Sequence, residues 1–284
     1  MSSYTHLDKI LATTRATVVE SRERTPLAGL EQKFAEHEPR GWAAALRPHR
    51  VDDQPSRPAI IAELKKASPS KGLIREDFDV SWLAQRYVAG GAAALSVLTD
   101  EPYFQGSLEN LRIASAAVEI PCLRKDFIVD EYQILEARAH SADAVLLIAA
   151  ALTDREMQRF ARTAHVLSLD VLCEVHNREE LERVLALADA PDAIGVNNRD
   201  LHTFDVRLET SLELVRFIPA SIIRVAESGI ATPADLARLR AAGFDAFLIG
   251  ESLMRESDPA VALQALLAEY GTPAIPAMSA ENSG

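Results

Sequence analysis

The chain has 284 residues, 48% of them hydrophobic, and a formal net charge of −12. That acidity argues against a nucleic-acid partner and against adhesion to anionic membranes, both of which call for basic surface. An anionic small molecule would need a local positive patch set against the global field, and the longest apolar run, Ala144–Leu152, is too short to span a bilayer.

The first 58 residues precede a repeating pattern. The N-terminus lacks the apolar region of a signal peptide. Leu7–Val19 carries Leu7, Ile10, Leu11, Thr14 and Val18 at helical period. A second helical stretch is expected around Trp42–Leu46, and Arg47–Pro58, with three prolines, reads as a linker. From Ala59 one theme recurs, an apolar run followed by a polar residue or two and then a helical pattern. The runs are Ala59–Leu64, Ala92–Leu98, Ile120–Leu123, Ala144–Ile148, Val171–Val175, Ala193–Val196, Ile222–Ala226 and Ala246–Ile249. Their spacing is that of a βα unit, and their continuous apolar character is that of parallel strands covered on both faces. Asp79 is placed to cap a helix over Val80–Ala89. Thr153 and Glu156 form a capping box before Met157–Ala164. Thr232 and Pro233 open a helix over Ala234–Ala241 that Gly243 closes.

Eight such units predict a (β/α)₈ TIM barrel over residues 59–271. Residues 1–58 are then an N-terminal helical extension and linker packed on the barrel, and 272–284 a flexible tail. An open doubly wound sheet would place a glycine-rich phosphate loop after the first strand, where the chain has Lys65-Lys66-Ala67-Ser68-Pro69-Ser70 instead. Cys122 and Cys173 lie inside apolar runs, without metal-ligand spacing, and read as buried thiols of a cytoplasmic protein.

Catalytic groups of such a barrel come from the C-terminal ends of its strands. The first end is the most informative. Glu63 and Lys65 are two residues apart and so share a strand face with Ile61, where two desolvated charges must pair or do chemistry. The chain has only six lysines, and three of them, Lys65, Lys66 and Lys71, fall in this segment. Lys66 is on the opposite face. The third strand ends in Arg124-Lys125-Asp126-Phe127, the fourth in nothing polar, the fifth in Glu174-Val175-His176, the sixth in Asn197-Asn198-Arg199, the seventh in Glu227-Ser228-Gly229 and the eighth in Gly250-Glu251-Ser252. Lysines and glutamates converging on one partly dry mouth supply proton donors and acceptors near neutral pH. The seventh and eighth ends suit a phosphate, which barrels often hold there on backbone N–H groups. Taken singly, Lys66, Lys71 and Asp126 read as solvated loop residues, Gly229 and Gly250 as turn glycines, and His176 and His202 as loop or cap residues.

Taken together, the segments Ile60–Gly72, Ser96–Thr99, Tyr103–Ser107, Leu123–Ile128, Glu174–His176, Gly195–Leu201, Val225–Ile230 and Leu248–Met254 resemble indole-3-glycerol phosphate synthase, the ring-closing enzyme of tryptophan biosynthesis. The resemblance implies the substrate 1-(2-carboxyphenylamino)-1-deoxyribulose 5-phosphate, an anion with a carboxylate and a phosphate, and no metal or organic cofactor. It implies catalytic roles for Glu63, Lys65, Lys125 and Glu174, and substrate contacts from Ser68, Phe104, Phe127, Asn197, Arg199 and Glu227. It also implies a phosphate cradle of Ser228, Gly229, Gly250 and Glu251, with the Glu251 backbone toward phosphate and its side chain turned away. A monomer is expected, with other enzymes of the pathway as the partners open to it. The rival enzyme reading is a Schiff-base aldolase with Lys125 as nucleophile. A sister isomerase would need a Cys/Asp or Asp/Asp pair, and a phosphate-sensing degenerate barrel would lack catalytic groups.

Overall fold

The computed structural model describes residues 5–47, 57–200 and 203–270. Most of the linker expected over Arg47–Pro58, the tail from Thr272 and His202 lie outside the described residues. Eight parallel strands close into a barrel: β1 (Ala59–Leu64), β2 (Ala94–Leu98), β3 (Cys122–Lys125), β4 (Ala144–Ile148), β5 (Asp170–Val175), β6 (Ala193–Asn197), β7 (Ile223–Glu227) and β8 (Ala246–Ile249). Each strand pairs with its sequence neighbours, and β1 pairs with β8 to complete the ring.

Two apolar layers explain the nearly continuous strands. Ile60, Ala62 and Leu64 face outward into the layer shared with the helices, while Ile61 faces the barrel interior with Leu123, Leu146, Leu172, Val225 and Leu248. The period of two then carries each inward row from an apolar floor to a charged rim: Ile61 to Glu63, Leu123 to Lys125, Leu172 to Glu174, Val225 to Glu227. The third strand is shifted relative to the expected Ile120–Leu123. Pro121 precedes the strand, and the ladder runs on through Arg124 and Lys125. The seventh likewise starts at Ile223 and extends to Glu227.

The helix His6–Arg24 buries Leu7, Ile10, Leu11, Thr14 and Val18, the stripe its period predicted. The helix Trp42–Leu46 pushes Trp42 and Leu46, both fully buried, into the barrel interior against Ile61, Ala94 and the first residues of other strands. Carboxylates at the strand starts fix this plug. Asp170 accepts from the Ala43 amide, and Asp143 accepts from the Arg40 and Cys122 amides and lies 2.8 Å from His37. The barrel is thereby closed at its N-terminal end and open at the other. Helix caps follow the expected signals at Asp79, Thr153 and Thr232, and Cys122 and Cys173 are buried thiols whose pKa burial pushes up.

Candidate active site

The open end holds a cavity of about 350 Å³, within the range of small-molecule sites. All fourteen site residues named from sequence line it: Glu63, Lys65, Ser68, Phe104, Lys125, Phe127, Glu174, Asn197, Arg199, Glu227, Ser228, Gly229, Gly250 and Glu251.

Two lysine–carboxylate clusters occupy the rim. Lys65 Nζ donates to Glu63 Oε2 at 2.5 Å. Lys125 Nζ donates to Glu174 Oε2 at 2.9 Å and lies 3.6 Å from Glu227 Oε2. Glu174 and Glu227 are each only 2% exposed, so these charges interact through little solvent. Burial alone would discharge Lys125, but Glu174, Glu227 and Glu63 outweigh it and hold the ammonium above the ordinary lysine value. Glu174 is also desolvated, yet Lys125 and His176 hold its carboxyl well below the usual range. Glu227 goes the other way: burial, the Glu174 charge and a hydrogen bond to Glu174 push it up to about 8. Two adjacent carboxyls thus take opposite protonation preferences.

Two glycines make room for this arrangement. A Cβ on Gly195 would stand 2.0 Å from Glu227 Oε1, and one on Gly250 would stand 2.4 Å from Glu63 Oε2. Gly250 has φ −130°, so it is not a turn glycine as its isolated reading suggested; the Glu63 carboxylate needs its bare backbone. Ser228 and Gly229 both have positive φ, 65° and 79°, and for serine that backbone is strained. Ser252 Oγ donates to the Ile230 carbonyl and so ties the β7 loop to the β8 loop. The helix Glu251–Met254 starts without a side-chain cap, which leaves its first amides to other acceptors. The Glu251 carboxylate accepts two bonds from Arg255, at 3.2 and 3.0 Å, and lies 3.8 Å from Arg199.

The loop after β1 is more regular than its Ser-Pro-Ser composition suggested. Ala67–Ser68 and Gly72–Leu73 pair as a small antiparallel hairpin, so Ser68 is held in a strand while Lys71 is exposed. Phe104 and Phe127 face one another with centroids 6.3 Å apart.

Two isolated readings are corrected. Asp126 is not a solvated loop residue; it is buried, accepting from Thr99 and Arg124, and Arg124 is itself anchored by Glu136 and the Gln133 carbonyl. The cluster fixes the end of β3 that carries Lys125 and the loop that carries Phe127. His176 is likewise no open loop residue, being one-tenth exposed between Glu174 and Glu180. Sequence reasoning gave no site role to His6, Leu7 and Ile10, which bring the N-terminal helix to the mouth, to Arg255, or to Asp100, which follows the second strand. Asp100 caps the helix carrying Phe104 through the Tyr103 and Phe104 amides, and burial pushes it up to about 6. Leu146 and Ile148 of the strand without polar ends line the cavity too. Arg255 was the legible one, four residues after Glu251 on one helix face.

A family model described as indole-3-glycerol phosphate synthase matches residues 7–266. Curated proteins of that name are similar along nearly their whole length. The one from Koribacter versatilis is 53% identical over 92% of this chain and 98% of its own. The one from Azospirillum brasilense is 51% identical, again over 92% and 98%. Among solved structures, an N-acetylmannosamine-6-phosphate 2-epimerase from Clostridium perfringens aligns with TM-score 0.54 at 14% identity, over 68% of this chain and 86% of that one. A thiamine phosphate pyrophosphorylase from Pyrococcus furiosus aligns with TM-score 0.55 at 15% identity, over 75% and 96%. At those identities the two structures speak for the fold alone.

Proposed function

The chain belongs to the indole-3-glycerol phosphate synthase family, and on that premise we propose how its residues divide the work. The reaction closes the indole ring of 1-(2-carboxyphenylamino)-1-deoxyribulose 5-phosphate with loss of CO₂ and water, a step of tryptophan biosynthesis. The observation that carries the reading is Lys125, set between Glu174 and Glu227 in a cavity that also holds the Glu63–Lys65 pair.

The ring carbon bearing the carboxylate attacks the ketone carbon, and electrons move to the carbonyl oxygen. Lys125 protonates the developing alkoxide as general acid. Its neighbouring carboxylates keep it charged until that moment. Loss of the carboxylate as CO₂ returns its bonding electrons to the ring and restores aromaticity. Dehydration then needs an acid for the departing hydroxyl and a base for a proton of the adjacent ring methylene, whose C–H electrons form the new double bond, and Lys65 and Glu174 take those parts. Once Lys125 has given its proton away, one of the two charges that hold Glu174 low is gone, and Glu174 becomes a stronger base for the second step. Glu63 orients Lys65. A Schiff-base nucleophile would have to shed its proton first, which the carboxylates around Lys125 oppose.

Phe104 and Phe127 hold the anthranilate ring, Ser68 contacts the carboxylate end, and Asn197, Arg199 and Glu227 contact the sugar side. Ser228, Gly229, Gly250 and Glu251 receive the phosphate on backbone N–H groups and the Ser228 hydroxyl, with the Glu251 charge compensated by Arg255. A cytoplasmic monomer working without metal or organic cofactor belongs to the same reading; light scattering on the eluting protein tests the monomer. The decisive assay is indole fluorescence from the purified chain with the anilino-ribulose phosphate. Folded protein that forms no indole product would end this reading.

A further inference from the structure

The mechanism leaves one buried basic group unused. His176 follows β5 by one residue, and its ring bridges two carboxylates. Nδ1 lies 3.1 Å from Glu180 Oε2, which also accepts from the His176 amide. Nε2 is buried, 3.2 Å from Glu174 Oε1 and off the hydrogen-bond axis, so that contact is one of charge. An ionised carboxylate only accepts, and a neutral imidazole carries one N–H. With both nitrogens against carboxylates, either neutral tautomer would leave a bare lone pair 3.1 or 3.2 Å from an anion; only the imidazolium suits both sides. Asn177 donates to Glu180 Oε1, which fixes the far carboxylate.

We propose that His176 is a positioning residue for the reaction, a permanent imidazolium clamped by Glu180 that pins one oxygen of Glu174 and leaves the other to Lys125. The inference rests on reading Glu174 as the base of the dehydration step. Its pKa follows the geometry: although burial works against charge, Glu174 and Glu180 raise His176 to about 10. Glu174 faces it from β5, and Glu180 from the helix Arg178–Leu185. Lys125 on β3 pairs with Glu174 from the other side, and Glu227 on β7 is coupled to the same carboxylate. Arg183 on the same helix is spent on Asp154 and the carbonyls of Ala149 and Leu152.

The consequence is a signed change in pH profile. His176→Gln keeps a donor but removes the cation, so the Glu174 pKa rises and the acidic limb of kcat moves to higher pH by about one unit. On that limb kcat at a given pH falls by up to about tenfold, while KM stays within about threefold because the substrate is untouched. A residue that only packs would leave the limb in place. Two arms do not depend on turnover. In the folded wild type, ¹⁵N chemical shifts should show His176 as imidazolium through neutral pH, and Glu180→Gln should lower its titration midpoint by about one unit or more. A neutral His176 ring at pH 7, or coincident pH profiles for wild type and His176→Gln, overturns the proposal. If Glu174→Gln retains near-normal turnover, the base reading falls instead, and the NMR arms still decide whether the clamp exists.

Discussion

Lys125 is the residue on which the proposed chemistry turns, and its surroundings say why. Replacing it by alanine leaves Glu174 and Glu227 buried side by side without their cation and removes the proposed acid. Lys125→Ala should lower kcat about 10²-fold or more with circular dichroism unchanged; near-normal turnover would refute the assignment. Gly195→Ala tests the placement of Glu227 without touching a charge. The new Cβ needs the space of Glu227 Oε1, and a carboxylate displaced by about 1 Å should cost 10- to 100-fold in kcat/KM. Ser228→Ala removes a hydroxyl from the proposed phosphate end, where ground state and transition state would bind alike, so it should mainly raise KM with kcat nearly kept.

At the scale of elements, the barrel works as a stack. Apolar side chains fill its middle, a helical plug seals one end, and charges ring the other. The plug is remote from the chemistry, which separates stability from activity. Trp42→Ala opens a void among interior residues and should cost about 3–5 kcal/mol in urea unfolding. The folded fraction should keep its kcat within about twofold. A comparable loss of kcat would mean that the plug shapes the mouth. The helix His6–Arg24 has a double part: one stripe packs on the barrel while His6, Leu7 and Ile10 join the cavity wall.

For the molecule as a whole, the buried titratable groups predict how stability responds to pH. Glu227 binds its proton more tightly folded than unfolded, with a pKa near 8 against an ordinary glutamate value. Between about pH 5 and 8 the native state therefore holds more protons, and stability falls as pH rises. His176 adds the same sign from about pH 6.5 toward 10. Glu174, held low, contributes stability that is lost only at strongly acidic pH. Thermal unfolding from pH 5 to 8 should show a decline that Glu227→Gln flattens, by on the order of 2 kcal/mol after allowing for coupling. Parallel curves for the two proteins would contradict the protonated state of Glu227. Among the described residues no helix is long and apolar enough to cross a membrane.

Much of this was legible without coordinates. The period of two in Ile61-Ala62-Glu63-Leu64-Lys65 already put a carboxylate and an ammonium on one interior face, because strand alternation is a property of the local backbone. Eight apolar runs at βα spacing fixed the barrel, and a barrel gathers its strand ends at one mouth whatever their separation in sequence. Only the tertiary structure decided which charges pair, since that depends on approach between strands far apart in the chain. Lys125 chose Glu174 and Glu227 rather than Glu63. Glu227 rose while Glu174 fell, because burial and the Glu174 charge outweigh Lys125 at Glu227, whereas Lys125 and His176 together outweigh burial at Glu174. Asp126 turned inward to Arg124, and the His176 ring came to lie buried between Glu174 and Glu180. Gly250 was visible as a glycine, but its reason is the Glu63 carboxylate that fills the space a side chain would need.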